Sequence, residues 1–211
     1  MPNQSSFPGF GDVPPNAPPS PLPKAKGSPK PAKKGKLPFS VFFSIFLPAV
    51  FAKPIAEQVT GFGIEHGLVS KPLLPHRLHI TLHDLGNFTD VPAELVQLAL
   101  SAGNAMKAGA FDVTFNHAMS FPSSGTYVVC GDADGTAALV AFREALGAAM
   151  LEAGLKVKKS FTPHMTVAYD RTLIAKHDID PITWTAGEFM LIKSHVGKGI
   201  YDELGRWPLR T

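Results

Sequence analysis

The sequence predicts an α+β protein of two lobes: two antiparallel sheets, helices on their outer faces, and a central cleft with pseudo-twofold symmetry. Two observations indicate this class. Strand-like and helical runs follow one another as strand, helix, strand, helix, strand, strand, helix, strand, strand, strand, which favours antiparallel pairing over a parallel sheet. In addition, the pattern His-x-Thr followed by an aliphatic residue occurs twice, at 79–82 and 164–167, once in each half of the chain.

Residues 1–37 are predicted to be a disordered tail, separate from a two-lobed domain over residues 38–211. The tail holds ten of the twenty prolines, six lysines and a single acidic residue, Asp12. Segments of this composition bury too little apolar surface to offset the entropy of ordering. Its positive charge leaves two interpretations open, a solvated linker and a weak electrostatic contact with nucleic acid.

An apolar run over residues 37–52 follows these lysines and has to be distinguished from a membrane anchor. It is shorter than the ~20 residues that a spanning helix requires, and Pro48 interrupts it. We therefore expect a buried strand over 39–47, a helix from about Lys53, and no membrane partner. The single cysteine, Cys130, excludes an internal disulfide and fits a reducing, cytoplasmic location. We also expect a monomer.

The rest of the chain shows alternating spacing in some segments and helical spacing in others. In order, the predicted elements are a helix over 90–107, strands over 111–115 and 126–131, a helix capped by Asp134 or Thr136 that ends at Gly154, a strand over 163–169, and closing strands over 189–196 and 205–209.

The two His-x-Thr segments are predicted to be strands with one apolar and one polar face. Successive side chains of a strand point to opposite sides, so His79 and Thr81 share a face, as do His164 and Thr166. The aliphatic residues between them face a core. We predict that the two polar faces meet across one cleft.

Two imidazoles in one cleft can act as general acid and general base near neutral pH. The neighbouring threonine hydroxyls can donate hydrogen bonds to an anionic oxygen, so the set forms a cradle for one phosphate without a metal or another cofactor. A zinc site is the competing interpretation, because His76, His79 and His83 would lie on one side of a helix. Pro75 and the alternating pattern favour a strand instead.

The paired segments His79-Ile-Thr-Leu and His164-Met-Thr-Val resemble the two motifs of the two-histidine (2H) phosphoesterase superfamily. The similarity is greatest to the RNA 2′,3′-cyclic phosphodiesterases, also called 2′-5′ RNA ligase-like proteins. Residues 42–45, 160–163 and 205–209 agree further, and the resemblance covers about 38–211.

This resemblance implies a bilobal α+β fold and a hydrolase that opens a 2′,3′-cyclic phosphate, on RNA ends or small nucleotides, to a 2′-phosphate. It implies that His79 and His164 are the acid–base pair and that Thr81 and Thr166 bind the phosphate. We assign His79 as the acid for the leaving 3′ oxygen and His164 as the base for water, and the reverse assignment stays open.

Four further side chains are candidates for the rim of the cleft: Arg77 and His83, which would share the face of His79, and Phe121 and Tyr127, which could stack on a base. Two other functions remain open for the same cleft. One is an RNA-binding module whose affinity comes from the basic tail, and the other is RNA 2′-5′ end joining, the reverse of the same chemistry.

Overall fold

The computed structural model describes residues 37–210, which hold eight strands and three α-helices. The predicted tail lies outside these residues, apart from Leu37. The elements are β1 (Phe39–Phe46), α1 (Ala49–Glu65), β2 (His79–Phe88), α2 (Ala93–Ala105), β3 (Phe111–Phe121), β4 (Thr126–Cys130), α3 (Ala133–Glu152), β5 (His164–Tyr169), β6 (His177–Ala186), β7 (Glu188–His195) and β8 (Ile200–Pro208), with a 3₁₀ turn (Pro75–Arg77) before β2.

The strands form two four-stranded sheets, and every pairing in them is antiparallel. The first lobe has the order β2-β1-β7-β8 and the second lobe the order β5-β4-β3-β6. The predicted α+β fold with two antiparallel sheets is therefore confirmed. Each lobe contains the unit strand, helix, edge strand, as β1-α1-β2 and as β4-α3-β5. In both lobes the edge strand carries the His-x-Thr motif.

A shared hydrophobic core joins the lobes. Phe43 and Leu191 of the first sheet, Phe115 and Met165 of the second, and Leu146 of α3 are fully buried in it. Helix α3 packs against β3 of one sheet and β2 of the other, so it bridges the two lobes. None of the helices between Leu37 and Arg210 has both the length and the apolar character needed to cross a membrane.

Strand β6 was not predicted. It contains Pro181, and a proline in the middle of a sheet removes a ladder hydrogen bond. In the structure β6 is an edge strand, where this loss is tolerated, and its alternation is intact: Ile182, Trp184 and Ala186 are buried between exposed residues.

Two predicted helix starts were wrong. Helix α1 begins at Ala49 rather than near Lys53, and Pro54 lies inside it. Proline is favoured in the first turn of a helix, and a start near Lys53 would have placed Pro54 there. Helix α3 begins after Asp132, whose carboxylate accepts a hydrogen bond from the Gly135 N–H at 2.8 Å, so Asp132 is the cap instead of Asp134 or Thr136.

Candidate active site

The two motif strands meet at the boundary between the lobes. Strands β2 and β5 contact each other, and the Leu73 N–H, in the segment before β2, donates to the carbonyl of Val167 in β5 at 2.7 Å. The polar residues His79, Thr81, His164 and Thr166 are partly exposed, while the aliphatic residues between them are buried. The structure thus brings the four predicted side chains to the facing edges of the two sheets.

Both motif histidines are held by the same contact. The Nδ1 atom of His79 lies 2.7 Å from the carbonyl oxygen of Arg77, and Nδ1 of His164 lies 2.7 Å from that of Thr162. A carbonyl oxygen can only accept a hydrogen bond, so each Nδ1 carries a hydrogen and donates it. The Nε2 atom is therefore the nitrogen that gains and loses a proton in each imidazole.

The imidazole of His79 is enclosed by aromatic rings. Phe42 stacks on it at 5.2 Å between ring centroids, Phe46 lies at 5.1 Å, and Tyr201 meets it edge-on at 5.7 Å. Burial lowers the pKa of His79 to about 4, with smaller contributions from the charges of Arg77 and His164, against the hydrogen bond to Arg77 that raises it. In the free protein His79 is thus neutral at pH 7.

His164 lies in a more open environment than His79. Its ring contact is with Phe121, at 5.0 Å between centroids. The charge of His164 is the smallest of the contributions that lower the pKa of His79. In the described part of the chain, the hydroxyls of Thr81 and Thr166 form no hydrogen bond with protein, which leaves them available to a ligand.

The prediction that His83 lies at the cleft rim was wrong. In the pairing of β1 with β2, Ser44 is opposite Thr81 and Phe43 is opposite His83, so Leu82 is an extra residue that forms a β-bulge. The bulge turns His83 to the face of the buried Phe43. His83 is 3% exposed, and its Nε2 donates to the carbonyl of Arg143 at 2.9 Å.

The prediction that Tyr127 stacks on a base was also wrong, because this side chain is 1% exposed and belongs to the core. Its hydroxyl lies 3.4 Å from Nε2 of His177, and burial raises its pKa. Phe121 is partly exposed and lies against His164, as described above.

Arg77 precedes β2 in the 3₁₀ turn and lines a cavity of about 610 Å³ next to His79 and Thr81. Tyr201 of the first lobe and Tyr169 of the second lobe line the same cavity. Neither tyrosine was among the predicted site residues, since a single aromatic residue near the end of a strand is more often part of a core.

Arg143 on α3 is a buried residue that the sequence prediction missed. Its Nε donates to the carbonyl of Leu82 at 3.0 Å and its Nη2 to that of Lys158 at 2.5 Å, while the guanidinium lies 4.5 Å from the Phe161 ring centroid. It therefore supports the strand of the first motif and the segment that leads to the second. Its burial could have been predicted from the helical spacing, because Arg143 lies between Leu139 and Leu146 on the apolar face of α3.

Asp170, directly after β5, was missed as well. Its carboxylate accepts hydrogen bonds from the backbone N–H groups of Val69, Ser70 and Thr172 at 2.8–2.9 Å. These bonds hold its pKa well below the usual range. The carboxylate ties the segment after α1 to the end of the second motif strand. An aspartate directly after a strand is typical of such turns.

The histidines of the competing zinc hypothesis do not converge. His76 is exposed in the 3₁₀ turn and His83 is buried on the opposite face of β2 from His79. Among the residues that the structure describes, no group of three His, Cys, Asp or Glu side chains has metal-binding geometry. Cys130 of β4 is paired with His164 of β5 and is buried. Burial raises the pKa of its thiol to about 11.

Comparison with known proteins relates this arrangement to one family. The model of the 2′-5′ RNA ligase superfamily matches residues 51–198. A crystal structure of a phosphoesterase is 26% identical with a TM-score of 0.64, covering 82% of this chain and 100% of its own. E. coli LigT in complex with ATP is 26% identical with a TM-score of 0.62, covering 82% and 99%. TT0787 of Thermus thermophilus is 25% identical with a TM-score of 0.62, covering 81% and 98%. Among curated protein sequences, none matches this chain.

Proposed function

The chain belongs to the 2′-5′ RNA ligase superfamily, and on that premise we propose that it is a metal-independent phosphodiesterase that opens a 2′,3′-cyclic phosphate to a 2′-phosphate. The observation that carries this proposal is the matched pair of imidazoles. Each extends from a facing sheet edge, each is held through Nδ1, and each leaves Nε2 for proton transfer.

The ligands of the structural neighbours support a nucleotide substrate. LigT has been crystallised with ATP, with 3′-AMP, with NADP⁺ and with phosphate. The cavity beside His79, at about 610 Å³, is within the ~300–1,000 Å³ typical of sites for small molecules. It therefore has room for a nucleoside as well as a phosphate.

In the proposed reaction the cyclic phosphate lies between the two imidazoles. A water oxygen attacks phosphorus while His164 Nε2 takes its proton, and the bond from phosphorus to O3′ breaks while His79 Nε2 donates a proton to O3′. The hydroxyls of Thr81 and Thr166 donate hydrogen bonds to the non-bridging oxygens, where negative charge develops. The product is a 2′-phosphomonoester with a free 3′ hydroxyl.

The position of the cavity supports the assignment of His79 as the acid. The leaving oxygen belongs to the ribose, and the space for a nucleoside adjoins His79. His79 is neutral in the free protein and must gain a proton before it can act. The bound phosphate favours this step, because an anion about 4 Å away stabilises a partly buried cation by roughly 4 kcal/mol. About 1.4 kcal/mol corresponds to one pH unit, so the pKa of His79 rises from about 4 to near neutrality.

Substrate binding is therefore expected to take up ~0.9 proton per nucleotide at pH 6 and ~0.5 proton at pH 7. Uptake can be measured by titration calorimetry in buffers of different ionisation enthalpy. The His164→Ala protein is used because it should bind a 2′,3′-cyclic nucleotide without hydrolysing it. The cyclic phosphate does not itself titrate in this pH range. Removing His79 as well, in a His79→Gln/His164→Ala protein, should abolish the uptake. Binding to His164→Ala without proton uptake would contradict the assignment and make His79 the base.

The reaction itself is tested by incubating the full chain with adenosine 2′,3′-cyclic phosphate and separating the products. We expect adenosine 2′-phosphate, formed at the same rate with and without EDTA because the imidazoles and hydroxyls supply the catalytic groups. A protein purified identically with His164→Ala controls for contaminating enzymes.

Formation of the 3′-phosphate, or loss of activity in EDTA, would contradict the proposal. RNA binding with steep salt dependence and no turnover would favour the binding-module alternative instead.

A further inference from the structure

We propose that Arg77 and the cavity around it bind a second phosphate group, attached at the 5′ position of the nucleoside whose cyclic phosphate lies between His79 and His164. This inference rests on the proposed function and specifies its substrate. The preferred substrate is then a nucleotide with phosphates on both sides of the ribose, as at the 3′ end of an RNA chain.

The cavity extends well beyond the reacting phosphate. Besides His79 and Thr81, it is lined by Arg77, by Ser40 and Ser194 on neighbouring strands of the first lobe, and by the β7–β8 turn. Its volume of about 610 Å³ equals that of roughly twenty water molecules at ~30 Å³ each, far more than one phosphate displaces.

The guanidinium of Arg77 is a cation without a protein counter-ion in this cavity. Within residues 37–210 it forms no ion pair, and its Nε is buried without a hydrogen-bond partner. Asp84 is the carboxylate that lines the cavity, and it is paired with Lys158 at 2.6 Å. The Nη1 and Nη2 atoms also form no hydrogen bond within residues 37–210 and, unlike Nε, are not fully buried, so a phosphate oxygen can reach them and accept a charge-assisted hydrogen bond.

Arg77 is held in place by its surroundings. Its guanidinium carbon lies 5.8 Å from the Tyr201 ring centroid, within the range of a cation–π contact. The β7–β8 turn covers the group closely, since a Cβ on Gly199 would lie 3.3 Å from Nη1, and Gly199 has a φ of +69° that favours glycine. A cation fixed in this way loses less side-chain entropy on binding an anion.

The second motif has no arginine at the position that corresponds to Arg77. The residue two positions before His164 is Thr162, which is exposed, so the pseudo-twofold symmetry of the motifs does not extend to a second arginine. If the two half-sites bound only the cyclic phosphate, the nucleoside could lie on either side of it. A second phosphate bound by Arg77 holds the nucleoside on the His79 side. This places O3′ next to His79, in agreement with its role as the acid.

The test compares the affinities for adenosine 2′,5′-bisphosphate and adenosine 2′-monophosphate by titration calorimetry. Wild type should bind the bisphosphate about 10- to 100-fold more tightly, as expected for a charge-assisted arginine–phosphate contact. In Arg77→Gln this ratio should fall at least tenfold, and Arg77→Lys should keep part of it because the charge remains but the planar donor pair is lost. The matched control Arg210→Gln, at the other end of β8 from the turn, should keep the whole ratio.

A ratio that Arg77→Gln leaves unchanged, or a wild-type protein that binds the two nucleotides equally, would overturn the subsite. Melting curves of the variants verify that they are folded.

Hydrolysis of the cyclic phosphate, assayed in parallel, separates the two proposals. An Arg77-dependent ratio without hydrolysis leaves the subsite standing and refutes the phosphodiesterase, while hydrolysis with an unaffected ratio does the opposite. A dinucleotide ending in a 2′-phosphate, used as a third ligand, distinguishes a phosphodiester of RNA from a free 5′-phosphate.

Discussion

Replacing His79 or His164 by alanine is expected to lower kcat for a 2′,3′-cyclic nucleotide by about 10²–10⁴, because each imidazole carries one of the two proton transfers. The double variant should be little slower than either single one, since residues that act as a unit in catalysis are not additive. Initial rates at saturating substrate give the measurement.

His76→Ala is the matched control for this loss. His76 is exposed in the turn before β2, and in the described chain it makes no hydrogen bond or ring contact, so its removal should leave kcat unchanged. Far-ultraviolet circular dichroism should show the same fold in all variants. Activity within a factor of about three of wild type in either His79→Ala or His164→Ala would be incompatible with the proposed mechanism.

Arg143→Met is expected to lower the free energy of unfolding by about 3 kcal/mol or more, the largest effect on stability that we foresee. Its two bonds to backbone carbonyls involve a charged donor, and each such bond contributes roughly 1.5–3 kcal/mol. Methionine fills much of the volume but leaves the carbonyls of Leu82 and Lys158 without this donor. Urea denaturation followed by fluorescence measures the change.

Arg143→Lys should recover only part of this loss, because one ammonium group does not reproduce the planar geometry that reaches two carbonyls. The exposed Arg210 provides the control: Arg210→Met should change the free energy of unfolding by less than about 0.5 kcal/mol. An Arg143→Met protein as stable as wild type would show that the buried guanidinium does not hold the motif segments in place.

The alternating pattern of the two motifs was enough to predict that their histidine and threonine side chains point away from the core. His79, Thr81, His164 and Thr166 stand on regular strands, where the period of two applies. The alternating pattern predicted the wrong face for His83. The β-bulge at Leu82 arises from the pairing of β2 with β1, so it cannot be predicted from the sequence of β2 alone. Period-based prediction is therefore reliable only up to the first irregularity of a strand.

Other features depended on tertiary context that local sequence does not contain. Pro181 is tolerated in β6 only because this strand lies at a sheet edge, a position that depends on the pairing with β3. Tyr127 alternates correctly but lies on the core side of β4, and Arg143 is polar at a position where helical spacing predicts an apolar residue. In each case long-range packing decided between two locally acceptable structures.

The order of the strands has a consequence for biosynthesis. The second lobe is continuous in sequence from β3 to β6, whereas β1 of the first lobe pairs with β7, Phe39 opposite His195. A ribosome that has reached residue 186 has made every strand of the second lobe, but it has not yet made the two strands that complete the sheet bearing His79. The sheet that carries His79 is therefore completed only after every strand of the second lobe has been synthesised.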